Sequence, residues 1–434
     1  MKLSRSSSSR SAWSTLSAFL LAATASTPLF GALTDDAQVQ AALSFITTNE
    51  PAVIEEQIRL CEIPAPPFQE TERAHYYAGK FEEYGLQDVH IDEEGNVFGT
   101  RPGTNPDLLL VFSAHLDTVF PAGTDVTVKR EGNILRAPGI SDDCRGLAVV
   151  LGVLQALNDQ EIQTDGTILF MGTVGEEGLG DLRGVRHLFE SDKADSIDYF
   201  ISMDGTGLHA TTGAVGSHRY EVTFSSAGGH SYGAFGQVNP IHALGRAIAK
   251  ISDFEMAAEP KATFNVGMIS GGTSVNSIAR TASFQIDMRS PSATSLDNTD
   301  AMFRAAVAEA VAEENEFWKT HAHSPTARNM NAANPVVVDI KQVGLRPTGD
   351  VPPDSPIIAC VSRANAALEV ADRFGSSSTD SNIAISLGVP AVTLGGGGRG
   401  AAAHSLDELF ETTDSHLGTQ RALLTVLEIV GLAK

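Results

Sequence analysis

His115-Leu116-Asp117 follows directly on the apolar run Leu108 to Ala114 (LLLVFSA). In a strand, residues i and i+2 face the same way, so this imidazole and carboxylate share one face. A metal-bound imidazole usually donates its second ring N–H to a fixed partner, and Asp117 can be that partner or a nearby orienting group. Alone, the pair reads equally as two polar residues at the surface. Asp142 and Asp143 sit in Gly139-Ile140-Ser141-Asp142-Asp143-Cys144-Arg145-Gly146, at the start of a helical run. Acids there also make a plain helix N-cap. Glu176 and Glu177, between Gly175 and Gly178, are adjacent in sequence. In extended chain they point oppositely, so one can hold a metal while the other faces a substrate and moves a proton. A solvated acidic turn is the plainer account, and Asp204 in Met203-Asp204-Gly205 has the same ambiguity. His404 lies beyond four consecutive glycines, Gly395 to Gly398. Such a stretch lets backbone approach a ligand, or forms a loose loop tip.

No single motif decides between these readings; their combination does. Together the residues provide enough hard and borderline ligands for two divalent ions, with a carboxylate left for general-base work. Cys61, Cys144 and Cys360 cannot all pair, and no Cys-x-x-Cys occurs, so any metal rests on imidazole and carboxylate. One disulfide is conceivable in an oxidising compartment, but there is no disulfide framework.

The elements that position these groups follow from hydrophobic spacing. Leu108 to Ala114, Thr167 to Thr173, Tyr199 to Met203 and Ala391 to Leu394 are short apolar runs that predict buried strands. Ala37 to Thr48, Ala52 to Glu62, Thr71 to Tyr84, Leu147 to Leu157, Ile357 to Leu368 and Thr419 to Leu432 predict helices. Continuous apolar strands alternating with helices predict an α/β fold with a mainly parallel sheet flanked by helices. Ligands in such folds bind beyond the carboxyl ends of the strands, where each candidate group stands. Between about Gly213 and Arg346 the texture changes. His218 to Ser225, Ile241 to Ile251, Thr263 to Ser270, Ala279 to Met288, Ala301 to Trp318 and Pro335 to Val343 give β-α-β-β-α-β, an inserted ferredoxin-like unit. The expected organisation is 36–212 and 347–434 as two parts of one domain, with 213–346 as the insert.

Lys2, Arg5 and Arg10 precede the apolar stretch Ala12 to Ala25, which ends in Ala23-Thr24-Ala25. This pattern predicts an export signal over residues 1–25, and hence a periplasmic or secreted protein. No run predicts a stable membrane span. The 434 residues allow two or three domains at about 150 residues each. Acids outnumber bases 53 to 30, a formal charge of −23, which disfavours nucleic acid and anionic membranes as partners. The 42% apolar and 19% charged content excludes a disordered or coiled-coil chain.

His115-Leu116-Asp117-Thr118-Val119, Gly139 to Gly146, Gly175-Glu176-Glu177, Ser202-Met203-Asp204 and Ala403-His404-Ser405 occur in one order. That order resembles the co-catalytic zinc exopeptidases, which include tripeptide aminopeptidase, glutamate carboxypeptidase and aminoacylase. The likeness covers nearly all of the mature chain, including the insert as a lid or dimerisation domain. It implies two Zn(II) ions, with cobalt or manganese as other occupants, and Asp142 bridging them. His115 and Asp204 would complete one site, Glu177 and His404 the other. Glu176 would be the general base, and Asp117 would orient His115. In the lid it implies His230 (Gly228-Gly229-His230-Ser231) for the oxyanion, commonly across a homodimer, with Asn276 and Arg289 gripping substrate polar groups and a carboxylate.

This chain departs from the family pattern in two places. Relatives often read Asp-Asp-Lys-x-Gly, whereas Asp143-Cys144-Arg145-Gly146 carries the basic residue one place later. Asp204, rather than Glu, is the aminopeptidase-like choice. The expected substrate is therefore a short peptide cut as by a tripeptidase, with carboxypeptidase or N-acyl-amino-acid hydrolysis as the alternative. A serine hydrolase is a competing class, because Gly229-His230-Ser231-Tyr232-Gly233 fits Gly-x-Ser-x-Gly and Asp380 and His404 follow in triad order. Its context is poor, and it leaves the acidic cluster without a role. A non-catalytic, lid-bearing binding protein is the third reading.

Overall fold

The computed structural model describes residues 33–433. The expected export signal lies outside them. Among the described residues no helix is long and apolar enough to cross a membrane.

Leu110, Val111 and Phe112 are wholly buried in the strand Asn105–His115. Burial of side chains like these is worth about 1.5–3 kcal/mol each, which sets this strand at the centre of the main sheet. It pairs in parallel with Gly166–Thr173 on one side and Tyr199–Met203 on the other. Ala391–Leu394 continues the parallel set beside Tyr199–Met203. Four strands therefore end at one rim, and the groups that follow them converge there. The outer strands run otherwise. Val97–Arg101 pairs antiparallel with Gly166–Thr173, and Ala210–Ala214 antiparallel with Ala391–Leu394. The sheet is thus mixed: its centre is parallel as expected, and antiparallel pairs enter toward its margins.

Ala37–Cys61 is one helix, not the two expected on either side of Pro51. An interior proline costs roughly 3 kcal/mol. The continuous buried stripe of Val39, Ala42, Leu43, Ile46, Val53, Ile54 and Leu60 outweighs it. Cys144–Asp159 and His416–Val430, nearly all buried, pack close to the central strands. Phe112, Phe170 and Phe81 meet edge-on at 5.9 and 6.2 Å and fill the space between layers.

The strands Gly216–Ser225, Thr263–Gly271, Thr281–Ser290 and Val337–Arg346 make a separate antiparallel sheet in the spatial order fourth, first, third, second. That order is ferredoxin-like. Alternation places Tyr220, Val222 and Phe224 on one face, against the helices Pro240–Ser252 and Ala293–His321. Tyr220 stacks on Phe303 at 5.3 Å. The two crossings between the sheets run side by side. Ser217 pairs with Arg346, and Gly213 with Asp350. The Asn382 side-chain amide donates to Val215 O at 2.9 Å and Pro347 O at 3.0 Å, pinning both crossings.

Candidate active site

Asp142 stands between two groups of donors. His115 Nε2 is 3.0 Å from its Oδ1, and His404 Nε2 is 3.1 Å from its Oδ2. His404 Nε2 is also 2.9 Å from Glu177 Oε1. The donor atoms of His115, Asp142 and Asp204 lie within 4.8 Å of one another, as do those of Asp142, Glu177 and His404. Those of His115, Glu176 and Glu177 meet the same limit, so Glu176 faces the same space. The structure brings all six side chains together from positions 115 to 404.

Local structure explains each placement. Asp117 accepts the main-chain N–H of Glu176 at 3.0 Å and of Glu177 at 2.8 Å, and its Oδ1 lies 3.5 Å from His115 Nδ1. Asp117 thus orients the imidazole, whose Nδ1 is 3.1 Å from the Asp117 main-chain oxygen, while its buried carboxylate frames the Glu176-Glu177 turn. The N-cap reading holds for Asp143, which accepts Gly146 N–H at 3.0 Å, while Asp142 is left free to face the cluster. Glu408 holds the Asp142 loop. It accepts N–H of Gly139, Ser141 and Asp142 at 2.9, 2.9 and 3.0 Å, and the Ser141 hydroxyl at 2.6 Å. His404 hangs from a small sheet in which Arg399–Ala401 pairs with Leu409–Glu411, and that strand with Ile134–Arg136. Arg145, the displaced basic residue, points away from the donors. It binds Gly396 O and Ser415 O, each at 2.7 Å, and so ties the helix start to the glycine-rich loop.

The electrostatics favour bound positive charge. Hydrogen bonds to Asp142 and Glu177 pull His404 up to about 10. Burial opposes the same rise in His115, but hydrogen bonds to Asp117 and Asp142 overcome it. Burial, reinforced by Asp142, pushes Asp204 up to about 7. Burial also raises Glu176 well above the usual carboxylate range, against the pull of Arg346. Crowded carboxylates that hold protons this tightly will exchange them for divalent cations. A donor set of imidazole nitrogen and carboxylate oxygen suits zinc, and the residues present fit such ions.

The cluster forms one wall of a cavity of about 350 Å³. Arg219 and Arg289 from the lid, and Arg346 from the crossing, line it as well. Asp287 holds Arg219 Nε at 2.9 Å and Arg289 Nε at 2.7 Å. Arg346 Nη1 donates to Glu176 Oε1 at 2.9 Å. Arg219, Arg346 and Glu408 escaped the sequence reading. Arg219 sits on the polar face of an alternating strand, where solvent is the default expectation, and nothing local marks Glu408.

His230 and Asn276 lie elsewhere. They neighbour each other in the lid, where Ser231 N–H donates to Asn276 O at 2.9 Å, and neither lines the metal-side cavity. The serine triad is not assembled: His404 is engaged with Asp142 and Glu177, and Asp380 accepts from the Thr173 hydroxyl at 2.5 Å. Ser231 stays in the lid.

Paired donor sets about a shared aspartate, with a further glutamate facing them, define the class of metal-dependent hydrolases. Residues 111–428 match the model of Peptidase family M20/M25/M40, and the chain belongs to that family. It is a metallopeptidase-family hydrolase. The uncharacterized protein YqjE of Bacillus subtilis is 27% identical over 281 residues, 61% of this chain and 73% of that protein. A putative [LysW]-lysine/[LysW]-ornithine hydrolase of Pyrococcus abyssi is 33% identical over 153 residues, 35% of this chain and 40% of that protein. Among solved structures, aminopeptidase PepT from Bacillus cereus superposes with a TM-score of 0.66 at 19% identity, covering 88% of this chain and 99% of that one.

Proposed function

We propose that this protein hydrolyses the amide bond of short peptides ending in a free carboxylate, with Glu176 as general base. The observation that carries the reading is Glu176 itself: buried, facing both donor groups, with Oε1 held by Arg346 and Oε2 left for a proton. His115, Asp142 and Asp204, and Asp142, Glu177 and His404, would hold two zinc or similar ions, which would supply Lewis acidity and a more acidic water. Glu176 takes the proton from the attacking water and returns it to the leaving nitrogen; a carboxylate raised by burial suits both transfers. Asp117 keeps His115 in one orientation through Nδ1. Arg289 receives the substrate carboxylate, a task for which a planar guanidinium is suited.

Tripeptidase-like aminopeptidase action is the finer proposal, supported by Asp204 and by likeness to PepT. One observation favours the second reading, carboxypeptidase or N-acyl-amino-acid hydrolysis. Among the described residues every carboxylate lining the cavity is in the donor cluster, and nearby Asp287 is taken by two arginines. None is spare for a substrate ammonium. An oxyanion role for His230 and a substrate contact for Asn276 require a second copy of the chain, so a homodimer through the lid is part of the proposal. The N-terminal signal pattern supports export.

Three substrates separate the readings: an unblocked tripeptide, an N-acylated dipeptide and an N-acetyl amino acid, each with product identification. We expect turnover of the tripeptide with release of its first residue, abolished by 1,10-phenanthroline and restored by zinc. Cleavage of N-acyl substrates alone would transfer the proposal to the second reading. Activity indifferent to the chelator would refute both.

A further inference from the structure

The turn that carries Glu176 is framed from its own domain by Asp117 and is tied as well to the lid crossing. Arg346, the last residue of Val337–Arg346, grips Glu176 twice, through Oε1 at 2.9 Å and through the main-chain oxygen. Its Nη1 also reaches Ser378 Oγ at 3.0 Å. Next to it, Leu345 N–H donates to both carboxylate oxygens of Asp181 at 3.0 Å, and Arg186 donates to Leu345 O. From the other crossing strand, Arg219 donates to Gly178 O. Residues 176, 178 and 181 are therefore each bonded to residues 219, 345 or 346. Behind this crossing lies a cavity of about 500 Å³, bordered by Phe189, Leu296, Leu345, Pro347, Ile383 and Leu387. The crossing thus stands between two cavities, with Arg346 bordering both.

We infer that Arg346 is a positioning residue that sets the general base from the lid hinge, so that the lid's angle and the direction of the Glu176 carboxylate are one mechanical unit. The physical logic is direct. Arg346 and Glu176 are 3% and 4% exposed, so water does not loosen their pair. A guanidinium that holds both the side chain and the main chain of one residue fixes it by direction as well as charge. The pin at Asn382 lies beyond Arg346 on the catalytic side, at residues 215 and 347. Any rotation of the lid about that pin moves Arg219, Leu345 and Arg346 together, and with them the turn at 176–181. Displacing a reacting group by about 1 Å can cost roughly 10²-fold in rate.

This inference rests on the general-base role proposed for Glu176, and its test separates the two. Arg346→Ala and Arg346→Lys are compared with wild type on whichever panel substrate is cleaved, with metal content measured by mass spectrometry. For Arg346→Ala we expect kcat to fall about 10²-fold with KM and metal content nearly unchanged. Millimolar guanidinium should restore part of kcat, and Arg346→Lys should fall between. Hydrogen exchange on the zinc-loaded protein should show lost protection at residues 177–181 in Arg346→Ala, a readout independent of turnover. Asp181→Ala, which loosens the clamp without touching the pocket, should lower kcat by a smaller factor. It carries the test alone if Arg346→Ala does not fold. Unchanged kcat in the Arg346 variants, or in Asp181→Ala where it stands alone, overturns the inference; so does a rise in KM at constant kcat, which would make Arg346 a substrate anchor. If Glu176→Gln also keeps full activity, the base assignment itself has failed.

Discussion

The two walls of the cavity carry opposite charge. The sheet rim presents Asp142, Glu176, Glu177 and Asp204, while the lid and its crossing present Arg219, Arg289 and Arg346. A chain of net charge −23 thus keeps a cationic wall where a substrate enters. Local fixed charges, not the protein's total, set the field a ligand feels in a cleft. In the proposed function the rim would collect cations, and the lid the anionic end of the substrate. The walls also differ in construction. Rim groups follow strand ends within a few residues, whereas the arginines are brought to the same cavity by a separate sheet.

Substitutions on each wall should break this contrast in different ways. The largest effect is expected on the rim. Glu176→Gln should lower kcat by about 10²–10⁴-fold while zinc, measured by mass spectrometry, stays at the wild-type level. His404→Ala should instead lose zinc. Full turnover by a zinc-replete Glu176→Gln protein would remove the base from the mechanism. On the lid wall, Arg289→Ala should act on binding. Loss of a charged hydrogen bond worth about 1.5–3 kcal/mol raises KM by about ten- to a hundredfold, with zinc content and kcat little altered. A purely kcat effect in steady-state kinetics would move Arg289 from substrate binding to the transition state.

The smallest effect concerns stability and has a definite sign. Asp204 is pushed from its ordinary 3.8 up to about 7. The metal-free folded state therefore holds this proton more tightly than the unfolded chain does. Its stabilising contribution is complete below about pH 4 and is lost as pH rises through about 7. In chelator-treated protein, Asp204→Asn should melt a few degrees above wild type near pH 8 and level with it near pH 4. Added zinc should reverse the order at pH 8, where the wild-type carboxylate regains a partner. Equal melting at both pH values in the chelated proteins would contradict the raised pKa.

The rim was legible because its groups lie beside strong strand signals. Tyr199–Met203 and Ala391–Leu394 have the boundaries their apolar runs predict, and the acids and glycines after them fall at the rim. Gln87–Ile91, with no fully buried residue, offers no such run and escaped notice. The same holds for the small sheet that suspends His404, whose strands span three residues each. Such short pairings gain stability from neighbours rather than from their own pattern. Arg346 was missed because the alternating run was read only to Val343, and its last turns toward the hinge carry no periodic signal.

Residue order alone showed the alternation of strands and helices and the inserted β-α-β-β-α-β unit, which are written in local spacing, and singled out the candidate metal-side groups by their combination. Only the tertiary structure decided that Asp143 caps a helix while Asp142 faces the cluster, that three arginines share the cavity with the acids, and that the hinge grips the base. Apart from the Asp143 cap, those relations join residues as far as 170 and 262 positions apart, and hydrogen bonds and charge pairing across such distances leave no periodic trace in the chain.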